Sequence, residues 1–137
     1  MHDSTIRQEL ADALPPVLVD PIQIQQVVLN LVRNGMEAMG GNDPEERTVT
    51  ISSRASGNET VEVAVSDRGS GISIDAEQEL FRTFFTTKDS GMGMGLAISR
   101  SIVNSHGGRL WFTRNQDRGV TFHLSLPVAS EGVNEER

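Results

Sequence analysis

Asn30 and Asn34 stand one helical turn apart in QVVLNLVRNGMEAM, followed by Asp67, Gly69 and Gly71 in SDRGSGI and by Gly91, Gly93 and Gly95 in GMGMGLAIS. This order constrains the fold to a helix, then a tight turn bearing a carboxylate, then a glycine-rich loop feeding a second helix. An amide oxygen suits a hard cation such as magnesium, which takes oxygen ligands and keeps several waters. Glycines at a helix start expose unpaired N–H groups at the positive end of the helix dipole, where phosphates bind. A carboxylate on a tight turn can accept a hydrogen bond from an exocyclic amine, which adenine has and guanine lacks at that edge. Together these are the parts that hold a nucleoside triphosphate with its magnesium. Singly, each has an ordinary reading as a satisfied surface amide, a common Asp-Gly turn or a plain loop.

The surrounding pattern is that of an α+β chain. Residues 5–11 read as a strand, Pro15 and Pro16 break it, and residues 17–19 form a second short extended stretch. Asp20 precedes Pro21 as a capping residue before a proline at the first helical position. Ile24, Val27, Val28, Leu31, Val32, Met36 and Met39 then recur at helical spacing over residues 22–39, and Gly40 and Gly41 end the helix. Val49 and Ile51, then Val61, Val63 and Val65, alternate with polar residues and give a hairpin. Residues 75–81 read as a short helix and residues 83–93 as a mobile loop. Residues 94–105 return to helical spacing and stop at Gly107 and Gly108, and two more alternating strands are joined by residues 115–119. The order predicts a two-layer α+β sandwich forming a single domain over residues 1–137, with its core in about 5–127 and a frayed, charged tail over 128–137.

A chain of 137 residues buries one core without staples. The absence of Cys excludes disulfides, thiolate metal sites and a Cys nucleophile. Twelve Lys and Arg against 19 Asp and Glu, a formal charge of −7, disfavour nonspecific attraction to nucleic acid or anionic lipid. An anionic ligand must therefore be held by local groups. No apolar run is long enough to span a membrane, and MHDSTIRQEL lacks the apolar core of a secretion signal, so a cytoplasmic domain without direct membrane contact is expected. Neither a GxxxxGK[ST] phosphate loop nor a dinucleotide fingerprint is present. His106 reads as a partner of a helix C-terminus, while His123, alternating with Phe122 and Leu124, is expected to face solvent. No His is expected to have an acidic neighbour arranged for phosphotransfer.

QIQQVVLNLVRNGMEAM, SDRGSGI, LFRTFFTTK, GMGMGLAISRSIV and GVTFHLSLP, in this order, resemble the N, G1, F, G2 and final G boxes of the catalytic ATP-binding domain of sensor histidine kinases. The resemblance runs from about Thr5 to Pro127 and is nearest to the nitrogen-regulatory and oxygen-sensing subgroup. It implies the Bergerat fold, a mixed sheet backed by helices with ATP between the helices and a lid. Carried over by residue, Asn34 ligates magnesium, Asp67 holds the adenine amine, and Gly69, Gly71 and Ile72 line the base. Lys88, Gly91, Gly93 and Gly95 belong to the lid and phosphate cradle, Phe84 and Phe85 anchor the lid, and Leu96 and Thr121 close the adenine side. Asn30 joins the nucleotide site where related gyrase, repair and chaperone ATPases carry a water-activating Glu, so the resemblance implies slow hydrolysis and a γ-phosphate kept for transfer.

Two positions depart from the family pattern. Glu37 stands where several histidine kinases carry a cationic phosphate contact, which leaves that role to Arg33, to Lys88 or to no residue, and Val120 follows Gly119 where the family often has Ser or Thr. No phosphoacceptor box is present, so the chain reads as a domain of a larger kinase. The resemblance thus implies a domain that binds ATP and magnesium and presents them to a His on a dimerisation domain, with a response regulator downstream and no nucleic-acid partner. The alternatives are a serine kinase of the anti-sigma-factor type and a regulatory module that binds nucleotide without transferring phosphate.

Overall fold

A computed structural model describes residues 5–41, 43, 46–57, 59–69 and 92–129, with the side chains of residues 92–94 not included. The expected short helix over 75–81 and nearly all of the expected loop over 83–93 lie outside the described residues. Five strands, β1 (Thr5–Glu9), β2 (Thr48–Ser56), β3 (Thr60–Ser66), β4 (Arg109–Arg114) and β5 (Val120–Pro127), form one sheet in the order β1-β2-β3-β5-β4. β1 runs parallel to β2 and the other pairs are antiparallel. Two helices, α1 (Pro21–Ala38) and α2 (Met92–Ser105), lie on one face. The expected α+β two-layer sandwich is the architecture found.

α1 begins where Asp20 turns its carboxylate back, Oδ1 accepting from the Ile22 and Gln23 amides at 3.0 and 3.3 Å. Such a cap contributes about 1 kcal/mol. At the other end the helix tightens through Met39 N–H to Met36 O and Gly40 N–H to Glu37 O, without a left-handed glycine. α2 ends differently. Gly107 adopts φ +77°, its N–H bonds Asn104 O, and Gly108 N–H reaches back to Val103 O, the paired closure of a Schellman motif. His106 serves both helices: Nδ1 donates to Ile102 O at 2.8 Å, and Nε2 accepts from the Asp20 amide at 3.1 Å. The predicted partner of a helix C-terminus therefore also ties the end of α2 to the start of α1.

Periodicity decides the core. Val27, Leu31 and Met39 of the α1 segment meet Leu96 and Val103 of α2 over Val49, Val65, Phe122 and Leu124 of the sheet. Each such side chain, fully buried, stabilises the fold by about 1.5–3 kcal/mol. β1 is shorter than the expected 5–11 strand because the Ala11 amide bonds the Ser53 side chain instead of extending the ladder. The extended stretch at 17–19 reduces to a single bridge, Val17 to Val128. That bridge corrects the expected tail: Val128 N–H bonds Glu59 O and Ala129 N–H bonds Pro16 O, so the chain is tied down to Ala129.

The opposite face of the sheet, which carries no helix among the described residues, bears hydroxyls and a polar cluster around Glu62. Glu62 of β3, 7% exposed, bonds Arg54 at 3.1 Å and His123 Nδ1 at 2.8 Å. The His123 ring stacks on Trp111, centroids 5.0 Å apart, and Nε2 meets Thr113 Oγ1 at 2.9 Å. His123 thus lies on the predicted face but half-buried, and it does have an acidic neighbour. Strand alternation gave the face correctly; the diagonal approach of β3 to β5 that brings Glu62 across is a property of the register.

Candidate nucleotide site

Asp67 follows the last residue of β3 and is 6% exposed. Its backbone N–H bonds Val120 O, and its Oδ1 accepts from the Gly69 amide at 2.8 Å and the Val120 amide at 3.3 Å. Both backbone bonds fall on one carboxylate oxygen, leaving Oδ2 without a hydrogen bond among the described residues. Burial pushes the carboxyl above its ordinary value of 3.8, against the lowering effect of the Gly69 and Val120 bonds. A buried carboxylate held by two backbone donors is a rigid hydrogen-bond acceptor for a donor of the right shape.

Close backbone approach builds this cradle. A Cβ on Gly119, whose φ is +92°, would lie 2.2 Å from Asp67 O and 2.7 Å from Oδ1. A Cβ on Gly69 would lie 2.6 Å from Ala38 O, so the turn after Asp67 presses against the end of α1. Gly35 is buried, and a Cβ on it would come within 3.2 Å of Asp67 Cβ. The β4–β5 turn clamps the same residues from behind. Asn115 Nδ2 donates to Asp67 O at 2.9 Å, and Arg118 Nε donates to Gly69 O at 3.3 Å.

α1 presents the two asparagines differently. Asn34 is 8% exposed, and its Nδ2 is a buried polar atom that finds no partner among the described residues. A half-turn of the amide exchanges Nδ2 and Oδ1 in nearly the same volume, so the position offers an oxygen donor as readily as an N–H. Among the described residues no group of three or more His, Cys, Asp or Glu gathers as a metal cluster. A magnesium ion fits such a site only through one amide oxygen, with waters and phosphate oxygens completing its shell. Asn30 is committed: Nδ2 donates to Ser99 Oγ of α2 at 3.2 Å, and Ser99 is fully buried. A Cβ on Gly95, in the first turns of α2, would meet Asn30 at ordinary contact distance, and Leu96 is fully buried in the core.

The structure brings together Asp67, Gly69 and the end of α1, and separately Asn30 with Gly95 and the body of α2; Gly93 lies within α2. Gly71, Ile72, Lys88 and Gly91 lie outside the described residues, as do Phe84 and Phe85. Thr121 stands apart. Its hydroxyl contacts Ser66 Oγ at 3.0 Å and Asn115 Oδ1 at 2.6 Å, and alternation along β5 sets it on the face away from α1 and α2 while Val120 turns inward to Asp67. The residue after Gly119, not the next one, reaches the carboxylate. Gly35, Asn115 and Arg118 went unnoticed in the sequence as site residues; only the glycine of GVTF and the Asn and Arg of the preceding turn hinted at them.

Residues 19–130 match the family described as histidine kinase-, DNA gyrase B- and HSP90-like ATPase. The sensor protein FixL of Bradyrhizobium diazoefficiens is 52% identical over 115 residues, which are 84% of this chain and 22% of that protein. The chain therefore spans about a fifth of the length of this curated relative. The nucleotide-free catalytic domain of the histidine kinase ThkA superposes with a TM-score of 0.77 at 34% identity, covering 91% of this chain and 80% of that one. Full-length ShkA in complex with AMPPNP superposes at 0.76 with 26% identity, covering 92% and 26%. The mixed five-stranded sheet with helices on one face is the Bergerat-like fold of these catalytic domains. No helix among the described residues is long and apolar enough to cross a membrane. On the match over residues 19–130, the chain belongs to the histidine kinase-, DNA gyrase B- and HSP90-like ATPase family.

Proposed function

We propose that this domain binds Mg-ATP and presents its γ-phosphate to a His on the dimerisation domain of a sensor histidine kinase, in the cytoplasm, with a response regulator as the next acceptor. The observation that carries the reading is Asp67, a buried carboxylate fixed by two backbone amides on Oδ1 with Oδ2 left for a ligand donor. Relatives that are sensor kinases and a neighbour solved with AMPPNP support it.

In this reading Asp67 accepts the adenine amine, Gly69, Gly71 and Ile72 line the base, and Asn34 turns its amide oxygen to the magnesium. Gly91, Gly93, Gly95 and Lys88 cradle the phosphates, and Leu96 supports the adenine side from the core. Magnesium, when bound, neutralises charge on the phosphates. The chemistry left to the protein is positioning. The acceptor imidazole forms the N–P bond as the bond from Pγ to the ADP oxygen breaks. Asn30, an amide held by Ser99, has no basic site with which to activate water, so hydrolysis is slow.

Titration calorimetry with AMPPNP, with and without magnesium, tests this. The parent chain is expected to bind the analogue more tightly with magnesium. Asn34→Ala is expected to keep its fold and lose the magnesium dependence; an unchanged magnesium effect in the variant removes Asn34 from the metal shell.

A further inference from the structure

Leu96, Ser99 and Val103 follow one another at helical spacing along α2, and all three are fully buried. Leu96 and Val103 belong to the apolar core, whereas Ser99 brings a hydroxyl to a place out of contact with solvent. A hydroxyl so placed destabilises the fold unless it is hydrogen-bonded, and alanine would pack the same helix crossing without that demand. Its hydrogen-bond partner among the described residues is the Asn30 amide of α1, with Nδ2 donating to Oγ at 3.2 Å.

That bond decides what the other end of the amide presents. Asn30 is half-buried, and with Nδ2 held by Ser99 its Oδ1 makes no hydrogen bond among the described residues. A Cβ on Gly95, one turn before Ser99, would lie 3.8 Å from the same Nδ2, so the amide lies along the first turns of α2. This is the end of a helix where unpartnered N–H groups gather and phosphates bind. The two ends of an Asn amide are nearly equal in size and opposite in hydrogen-bonding sense, and the Ser99 bond is the contact that tells them apart.

We propose that Ser99 is a positioning residue whose buried hydroxyl holds the Asn30 amide with Oδ1 outward, as the acceptor for a water that bridges the chain to the triphosphate. An amide oxygen orients such a water and has no basic site to take its proton. Ser99 itself touches no ligand, and its effect on nucleotide passes through Asn30. The inference rests on the proposed nucleotide function and assigns one more residue to it.

Calorimetry with AMPPNP and magnesium on the whole chain, on Ser99→Ala, on Asn30→Ala and on the double variant forms a cycle that tests this. Ser99→Ala is expected to stay folded and to bind the analogue about three- to tenfold more weakly. With Asn30→Ala already present, Ser99→Ala is expected to change the affinity by less than about twofold, because the residue it acts through is gone. In the ligand-free chain, the Asn30 side-chain amide protons are expected to exchange with water faster in Ser99→Ala than in the parent. Equal losses of affinity from Ser99→Ala with and without Asn30, a loss that only tracks the unfolded fraction, or unaltered Asn30 amide exchange assigns Ser99 to packing and overturns the positioning role. Parent binding that Ser99→Ala leaves undiminished refutes the role of Ser99 alone, whereas a parent that fails to bind AMPPNP refutes the nucleotide reading and the role with it.

Discussion

At Asp67, binding and stability pull in opposite directions. Its carboxyl is raised in the folded state, so between the ordinary value of 3.8 and the raised folded value the native protein holds a proton that the unfolded chain has released. Stability therefore falls as pH rises through that window, and the penalty persists above it. Asn in its place keeps an oxygen for the Gly69 and Val120 amides and carries no charge. Asp67→Asn is accordingly expected to flatten that part of the pH dependence and to be at least as stable as the parent at pH 7. ATP should bind it about ten- to a hundredfold more weakly, since a hydrogen bond to a charged group is lost. Thermal denaturation against pH and calorimetry with ATP and GTP measure both. A variant that loses stability at pH 7 overturns the burial penalty, and a parent that binds GTP as well as ATP removes Asp67 from the role of base reader.

The β4–β5 turn is the element on which the site most depends. It closes through Asn115 N–H to Gly119 O and delivers Gly119, Val120 and Asn115 to the Asp67 turn at once. Gly119→Ala meets both a left-handed φ and a Cβ 2.2 Å from Asp67 O, so a cost of about 2–4 kcal/mol is expected, with loss of nucleotide binding. Chemical denaturation checks it, and a cost below about 0.5 kcal/mol would sink the close-approach argument. By contrast Leu124→Ala, in the fully buried middle of β5, is expected to cost about 2–5 kcal/mol through its cavity while leaving the Asp67 cradle intact. Nucleotide affinity of the folded fraction separates the two.

For the whole molecule, one sheet divides two surfaces of unlike chemistry. The side under α1 and α2 holds the core and the asparagines; the other side holds the Glu62–His123 cluster, and Asp67 sits at the end of β3 where the two meet. His123, engaged by Glu62, Thr113 and Trp111, is a structural member of the sheet and a poor phosphoacceptor. The chain incubated with ATP is expected to incorporate no acid-labile phosphate and to hydrolyse ATP slowly, and to phosphorylate a His on a dimerisation fragment supplied in trans. Phosphohistidine formed by the chain alone, or vigorous ATPase activity, would favour a different acceptor arrangement.

What the sequence by itself determined is what local physics fixes. Periods of 2 and 3.6 located β2 to β5 and both helices, Asp20-Pro21 and Gly107-Gly108 set the α1 start and the α2 end, and the ordered boxes identified the family. What the tertiary structure alone decided is which side chains meet across distant segments. Whether Val120 or Thr121 reaches Asp67 turns on the pleat of β5, where a shift of one residue changes the face. The pairing of Glu62 with His123 and the clamp of Asn115 on Asp67 join residues dozens of positions apart. No local spacing encodes such contacts, because they follow from sheet order and register, and these are fixed only when the whole core closes.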